Sequence, residues 1–375
     1  MHRPNEQSVE CASHVVVERP TARVALPPPA VDGDSDGEAE ADGSQANDGD
    51  LLEDFPDETD ELELVHSRLS SLANLRLDRF ARHLRKLCLR QNAISHLDPE
   101  IFKLLTQLEE LDLYDNKLKT VGDALDNLSA ITVLDLSFNL LRQVPEALSH
   151  LRLLKTVYFV QNKISKITGF KSVGATLKSL ELGGNRIRHI EGLDALVNLE
   201  ELWLGKNKLT KLENLSTLRR LKILSLQSNR ITKIEGLDQL VDLEELYLSH
   251  NGVERLEGLE NNTKLRTLDV GANFVQAIEN ISHLTSIEEL WLNNNKIADL
   301  RSLESQLKNM ASLETIYLEG NPCQQAEGAS YRRKIMLALP QVKQIDATVW
   351  LNKSVALQNR FDPTIFLQWD GTDFN

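Results

Sequence analysis

One pattern constrains this chain more than any other feature: Leu-x-x-Leu-x-Leu-x-x-Asn-x-Leu/Ile returns at nearly fixed intervals. In full it reads Leu108-Glu-Glu-Leu111-Asp-Leu113-Tyr-Asp-Asn116-Lys-Leu118. The Asn position is held by Asn92, Asn116, Asn139, Asn162, Asn185, Asn207, Asn229, Asn251, Asn273, Asn295 and Asn321. Their spacings are 24, 23, 23, 23, then 22 five times, then 26. A unit of that length cannot bury its own apolar residues and must stack on its neighbours. A degenerate unit comes first, with Leu62 and Leu64, Ser67 in the Asn position, and Leu69 and Leu72 behind it. Terminal repeats are atypical because they cap the stack.

Each residue class in the unit has a physical task. Leu-x-Leu alternates with period two, so both leucines of a short strand point inward and the residue between them points out. The Asn can satisfy backbone groups where the chain leaves the strand, and stacked Asn residues then form a ladder. Only about a dozen residues remain for the return path, and Gly192, Gly236 and Gly258 interrupt it. This favours short 3₁₀ turns over full helices. The pattern therefore predicts an α/β leucine-rich-repeat solenoid, a curved right-handed horseshoe with a parallel sheet on its concave side. We expect about 12 repeats over 61–322 and a cap over 323–348, built from Tyr331–Leu339 and Val342–Asp346.

Charge separates the two ends of the chain. Of a net −14, residues 1–63 hold 18 acids and 3 bases, so the remainder is close to neutral. From Val31 to Glu63 there are 15 acids and no Lys or Arg, a composition that cannot offset its ordering entropy. Residues 1–60 are expected to be a disordered acidic tail and 349–375 a C-terminal tail. Ser35 has the surroundings of an acid-directed kinase site, and Arg23-Val24-Ala25-Leu26 is a weak match to a short phosphatase-docking motif. The near-neutral remainder shows no basic stripe of the kind a nucleic-acid binder needs. No apolar run approaches the ~18 residues that span a bilayer, and Met1–Pro20 lacks the apolar stretch of a signal peptide. The sequons at Asn127, Asn214, Asn261, Asn280 and Asn352 then read as coincidence in an Asn-rich repeat. Cys11, Cys88 and Cys323 are too scattered for a disulfide framework or a metal site. The expected compartment is reducing, the nucleus and cytoplasm.

The residue between the two strand leucines, read down the repeats, is Cys88, Asp112, Asp135, Tyr158, Glu181, Trp203, Ser225, Tyr247, Asp269, Trp291 and Tyr317. Five of the nine Trp and Tyr residues of the chain fall in this column, four more members are acids, and none is Lys or Arg. Flanking outward positions add Glu110, Glu201, Glu245, Glu289 and Glu319, with Lys86 and Arg90 as the bases. Aromatics suit strands, but a row of outward aromatics marks a protein-binding surface. Twelve strands at ~4.8 Å give an inner arc on the order of 50 Å, the width of a globular domain. Its acids call for Lys or Arg on the partner. No His enters the column, and no nucleophile–base pair, phosphate loop or metal cluster appears, so neither an enzyme nor a cofactor is expected.

Several strings exceed the repeat consensus: Leu204-Gly-Lys-Asn-Lys208, Glu245-Leu-Tyr-Leu-Ser-His-Asn-Gly252, Glu257-Gly-Leu-Glu-Asn-Asn262, Glu279-Asn-Ile-Ser-His-Leu284 and Gln344-Ile-Asp-Ala-Thr348. Across residues 60–348 they closely resemble the leucine-rich-repeat regulatory subunits of protein phosphatase-1. The resemblance implies a non-catalytic subunit that grips the phosphatase catalytic subunit with its concave face, often with inhibitor three as a third component. The contact residues it implies are Asp135, Tyr158, Glu181, Trp203, Asp269, Glu289, Trp291 and Tyr317. Tyr158 and Trp203 stand where that family usually has Phe. The Arg19–Ala30 segment and the aromatic tail after Thr348 depart from it. A repeat scaffold for a ribonucleoprotein complex is the alternative, since one spliceosomal subunit shares the fold and cap.

Overall fold

The computed structural model describes residues 21–23 and 51–349. The chain divides into two compact units, Met1–Leu224 and Ser225–Asn375. In the first, β1 (Thr21–Arg23) and β2 (Glu61–Glu63) are followed by one strand per repeat. These are β3 (Lys86–Cys88), β4 (Glu110–Asp112), β5 (Val133–Asp135), β6 (Thr156–Tyr158), β7 (Ser179–Glu181) and β8 (Glu201–Trp203). All pair in parallel with their chain neighbours, so that Leu62, Leu87, Leu111, Leu134, Val157, Leu180 and Leu202 fall in one register. Each of these central residues is at most 1% exposed, as is the leucine or phenylalanine two positions on, for example Leu89, Leu113 and Phe159. Period two thus fills the core from one side, at ~2 kcal/mol of burial per leucine.

β9 (Ile223–Ser225) lies where the two units meet in sequence. The second unit repeats the scheme with β10 (Glu245–Tyr247), β11 (Thr267–Asp269), β12 (Glu289–Trp291) and β13 (Thr315–Tyr317), again parallel and in register. It ends on β14 (Gln344–Ile345), parallel to β13, and β15 (Thr348–Val349), antiparallel to β14. Both units are leucine-rich-repeat solenoids.

The asparagines form the expected ladder. Asn116 accepts from Ile94 N–H at 3.0 Å through Oδ1, and its Nδ2 donates to Leu89 O at 2.9 Å and Leu113 O at 3.2 Å. Asn273 does the same in the second unit with Val253 N–H, Leu248 O and Val270 O. Each amide thus ties two repeats while satisfying backbone groups that have no strand partner. The residue just before the ladder Asn has positive φ in every repeat, from Gln91 (55°) and Phe138 (53°) to His250 (56°) and Asn294 (54°). That left-handed residue ends the strand and turns the Asn inward.

Return paths are short. In the first unit they carry 3₁₀ turns at Leu77–Phe80, Glu146–His150 and Lys171–Val173 and the single-turn α1 (Pro99–Phe102). The second unit has α2 (Leu303–Leu307). A second left-handed slot recurs here every 22 residues, filled by Gly192, Asn214, Gly236, Gly258 and Asn280. A Cβ on Gly258 would lie 2.4 Å from Ile234 O. Two members of the Asn-x-Ser/Thr set, Asn214 and Asn280, occupy this slot, and their amides donate to Ile190 O and Leu256 O.

Residues 51–60, acidic in composition, pack against the first repeat. Leu52 is 2% exposed, and Arg79 donates to Leu52 O at 3.2 Å and pairs with Asp57 at 2.7 Å. An apolar plug and one arginine thus hold residues 51–60 against the first repeat despite their charge. At the other end, α3 (Pro322–Glu327) and α4 (Tyr331–Ala338) close the stack. Asp346, next in register after Ile345, caps the edge of β13: Oδ1 accepts from Leu318 N–H and Glu319 N–H, both at 3.0 Å, and Arg332 balances its charge at 3.3 Å. The acidic stretch Val31–Asp50 with Ser35, the segment Val24-Ala25-Leu26 and the aromatic tail from Trp350 lie outside the described residues. Among the described residues no helix is long and apolar enough to cross a membrane.

Candidate partner-binding face

The strand register stacks the outward column one repeat at a time. In the first unit Cys88, Asp112, Asp135, Tyr158, Glu181 and Trp203 are consecutive partners, each one strand spacing (~4.8 Å) from the next. All six are partly exposed. At the N-terminal end the acids are neutralised: Lys86 lies 3.5 Å from both Glu61 and Glu110, and Arg90 pairs with Asp112 at 2.9 Å. Further along they are not. Asp135 and Glu181 form no ion pair among the described residues. Burial pushes the Asp135 carboxyl above its usual range, against the Ser137 N–H that holds it down at 2.8 Å, and Asp112 adds to the rise. Burial likewise raises Glu181, helped by Asp135 and Glu201. Tyr158, between the two acids in register, is raised by burial and then by Glu181.

A hollow of about 450 Å³ opens over this stretch. Its floor is Asp112, Asp135, Tyr158 and Glu181, and its wall includes Arg90, Tyr114 and Phe138. The wall is stacked: the Arg90 guanidinium stands 4.1 Å over the Tyr114 ring, whose centroid is 4.8 Å from that of Phe138. Phe138 is 41% exposed, at the left-handed position where other repeats carry Gln, Asp, Gly, Lys, Ser, His, Ala or Asn. Neither Tyr114 nor Phe138 belongs to the outward column, so the period did not single them out. The clue available in the sequence was a bulky apolar residue in a slot otherwise filled by polar or small ones.

In the second unit Tyr247, Asp269, Trp291 and Tyr317 are consecutive partners. Here the carboxylates orient the rings. Tyr247 O–H donates to Glu245 at 2.7 Å and Trp291 Nε1–H to Glu289 at 3.1 Å. Trp291 and Tyr317 meet edge to face at 5.3 Å, and Gln344 donates to the Tyr317 hydroxyl at 2.6 Å. Asp269 is only 4% exposed, between Tyr247 and Trp291 in register, and accepts from Gly271 N–H at 2.9 Å. Burial still raises its carboxyl. Ser225, also in the column, is 3% exposed.

Among the described residues no group of three or more His, Cys, Asp or Glu is placed to hold a metal ion. Burial pushes the Cys88 thiol up, away from the thiolate a nucleophile needs.

Known proteins give the arrangement a context. Leucine-rich-repeat family profiles match residues 82–141, 177–272 and 263–305. A protein phosphatase 1 regulatory inhibitor subunit homologue from Arabidopsis thaliana is 39% identical over 193 residues, covering 51% of this chain and 57% of that protein. A protein phosphatase 1 regulatory subunit from Schizosaccharomyces pombe is 47% identical over 83 residues, covering 22% of this chain and 23% of the relative. Protein phosphatase 1 regulatory subunit 7 of Homo sapiens is 63% identical over 43 residues, 12% of this chain and 11% of that one. The aligned region thus spans little more than half of the Arabidopsis relative and less of the others. Among solved structures, an internalin from Listeria monocytogenes superposes with a TM-score of 0.67 at 24% identity, covering 77% of this chain and 81% of that one. It shares the fold alone. Repeat pattern, ladder and family profiles agree that the chain is built of leucine-rich repeats, and over the aligned stretches it is similar to protein phosphatase-1 regulatory subunits.

Proposed function

We propose that this chain is a non-catalytic regulatory subunit of protein phosphatase-1 that holds the catalytic subunit against the strand faces of its repeats. The observation that carries the reading is the pair Asp135 and Glu181: two half-buried carboxylates that form no ion pair among the described residues, in a hollow walled by partly exposed rings and by an Arg90 already paired with Asp112. A folded chain gains nothing from leaving such charges uncompensated. A partner surface bearing Lys or Arg supplies the missing charge, and the aromatics Tyr158, Trp203, Trp291 and Tyr317 supply the apolar contact. The names of the relatives support phosphatase-1 as that partner. Control of its activity, maturation or localisation, a ternary complex with inhibitor three, and residence in nucleus and cytoplasm are parts of the same proposal.

The test replaces Trp291 and Glu289 by Ala together in the full-length chain. Co-purification with the phosphatase catalytic subunit should be abolished while circular dichroism and the thermal midpoint stay at wild-type values. Undiminished binding by the folded double variant removes the proposal.

A further inference from the structure

The near-neutral charge of the repeat region conceals a local excess. The residue just after each ladder Asn is tied to its equivalent turn in the preceding repeat. Lys163 N–H donates to Leu141 O, Arg186 N–H to Ile164 O and Lys208 N–H to Ile187 O, each at 2.8 Å. These three cations therefore stand in one row on successive repeats of the first unit, beside the strand face. Lys117 continues the row after Leu140, through Lys117 N–H to Ile94 O and Leu140 N–H to Leu118 O. Arg142 and Arg188 lie two residues further along their own repeats, exposed beside buried Leu141 and Ile187.

Among the described residues Arg142, Lys163, Arg186, Arg188 and Lys208 form no ion pair. Some cations on other repeats do find acids across the repeat boundary: Glu200 receives Lys178 at 3.0 Å and Lys222 at 2.8 Å, Lys264 reaches Asp242 at 2.6 Å, and Arg266 reaches Glu288 at 2.8 Å. Like charges held in register one strand spacing apart repel. The fold does not require them, since the same row in the second unit reads Arg230, Gly252, Phe274 and Lys296.

We propose that this row on the first unit is a second binding surface, separate from the strand face, for an acidic protein segment rich in Asp and Glu. From Lys117 to Lys208 the row covers four repeat steps, ~20 Å, which an extended peptide crosses in about six residues. Carboxylates along such a segment would face the cations that now repel one another. Single-stranded nucleic acid fits less well, because sequence-tolerant binding of bases relies on aromatic platforms and the row holds Lys, Leu, Lys, Arg and Lys.

The experiment uses the full-length chain and a fluorescein-labelled oligoglutamate of about ten residues at roughly 50 mM salt, where surface charges are weakly screened. The expected result is saturable binding that Lys163→Gln/Arg186→Gln/Lys208→Gln weakens by about tenfold or more, with affinity falling as salt rises. The thermal midpoint of the triple variant stays level or rises, since it loses repulsion and no ion pair. Arg230→Gln/Lys296→Gln, the matching change in the second unit, should leave binding within about twofold. No binding by the wild-type chain, or equal binding by the triple variant, overturns the proposal. So does oligouridine of equal charge binding more tightly than the peptide, which would make the row a nucleic-acid surface.

Discussion

The two units are built from one repeat and dress the same strand positions differently. In the first, carboxylates stand on the face without ion pairs among the described residues: burial raises both Asp135 and Glu181, with Asp112 adding to the first and Asp135 to the second. In the second, carboxylates serve the aromatics, Glu245 accepting from Tyr247 and Glu289 from Trp291. One face is electrostatically incomplete and waits for charge. The other presents rings oriented by hydrogen bonds, with Asp269, also raised by burial, set between them. A repeat scaffold makes this division cheap, because outward residues change without disturbing leucines that are 0–1% exposed.

The largest expected effect tests whether the units are also separate in stability. Asn162→Ala in the first unit and Asn273→Ala in the second each strip a buried amide that accepts one N–H and donates to carbonyls of two repeats. Leaving those groups unsatisfied costs about 3 kcal/mol, or roughly 5–10 °C in midpoint. Calorimetry should show two transitions, with each variant lowering only its own. A single transition that both variants lower equally would erase the distinction in stability.

Next in size is the contrast between Tyr158 and Trp291, column aromatics of the two units. Trp291 is fixed by Glu289 and packed on Tyr317, so a partner meets a ring that has already lost its rotamer freedom. Trp291→Ala should weaken phosphatase binding by about 100-fold and Tyr158→Ala by about tenfold, measured by titration calorimetry. Equal losses would mean that preorganisation of the second face contributes nothing.

A smaller effect addresses the first face alone. An acid whose folded pKa lies above its ordinary value binds its proton more tightly folded than unfolded. Its contribution to stability therefore improves as pH falls through the folded pKa and levels off below the ordinary values of 3.8 for Asp and 4.5 for Glu. At neutral pH Asp135 and Glu181 destabilise the isolated chain. Asp135→Asn/Glu181→Gln should raise the midpoint at pH 7 by about 2 °C, flatten its pH dependence in that window, and slow association with the phosphatase. A double variant that is less stable at pH 7 would show the carboxylates to be structural.

How much of this was legible in the sequence follows from which interactions are local to the repeat. Leu111, Leu113 and Asn116 sit where the pattern puts them, because alternation and the ladder are fixed within one unit and its neighbour. The outward column was legible for the same reason. What escaped depends on neighbours across repeats. Asp269 reads as an exposed acid, yet it lies between Tyr247 and Trp291 in register and is 4% exposed. Tyr114 and Phe138 lie outside the period and join the hollow through ring stacking. The row of Lys163, Arg186 and Lys208 vanishes in a net charge near zero, because acids elsewhere cancel it in the sum but not in space.

The finest test separates two roles of one carboxylate. Glu289 orients Trp291 through the 3.1 Å hydrogen bond to the indole N–H, and it also carries a charge that a partner cation could use. Glu289→Gln keeps an oxygen able to accept from Nε1 and removes the charge. If the second face works through oriented rings, binding to the phosphatase falls by no more than about threefold, while Glu289→Ala, which frees the indole, costs about tenfold. If Gln and Ala are equally damaging, the charge of Glu289 is what the partner reads. The second face would then resemble the first, and the division between an electrostatic unit and an aromatic one would have to be withdrawn.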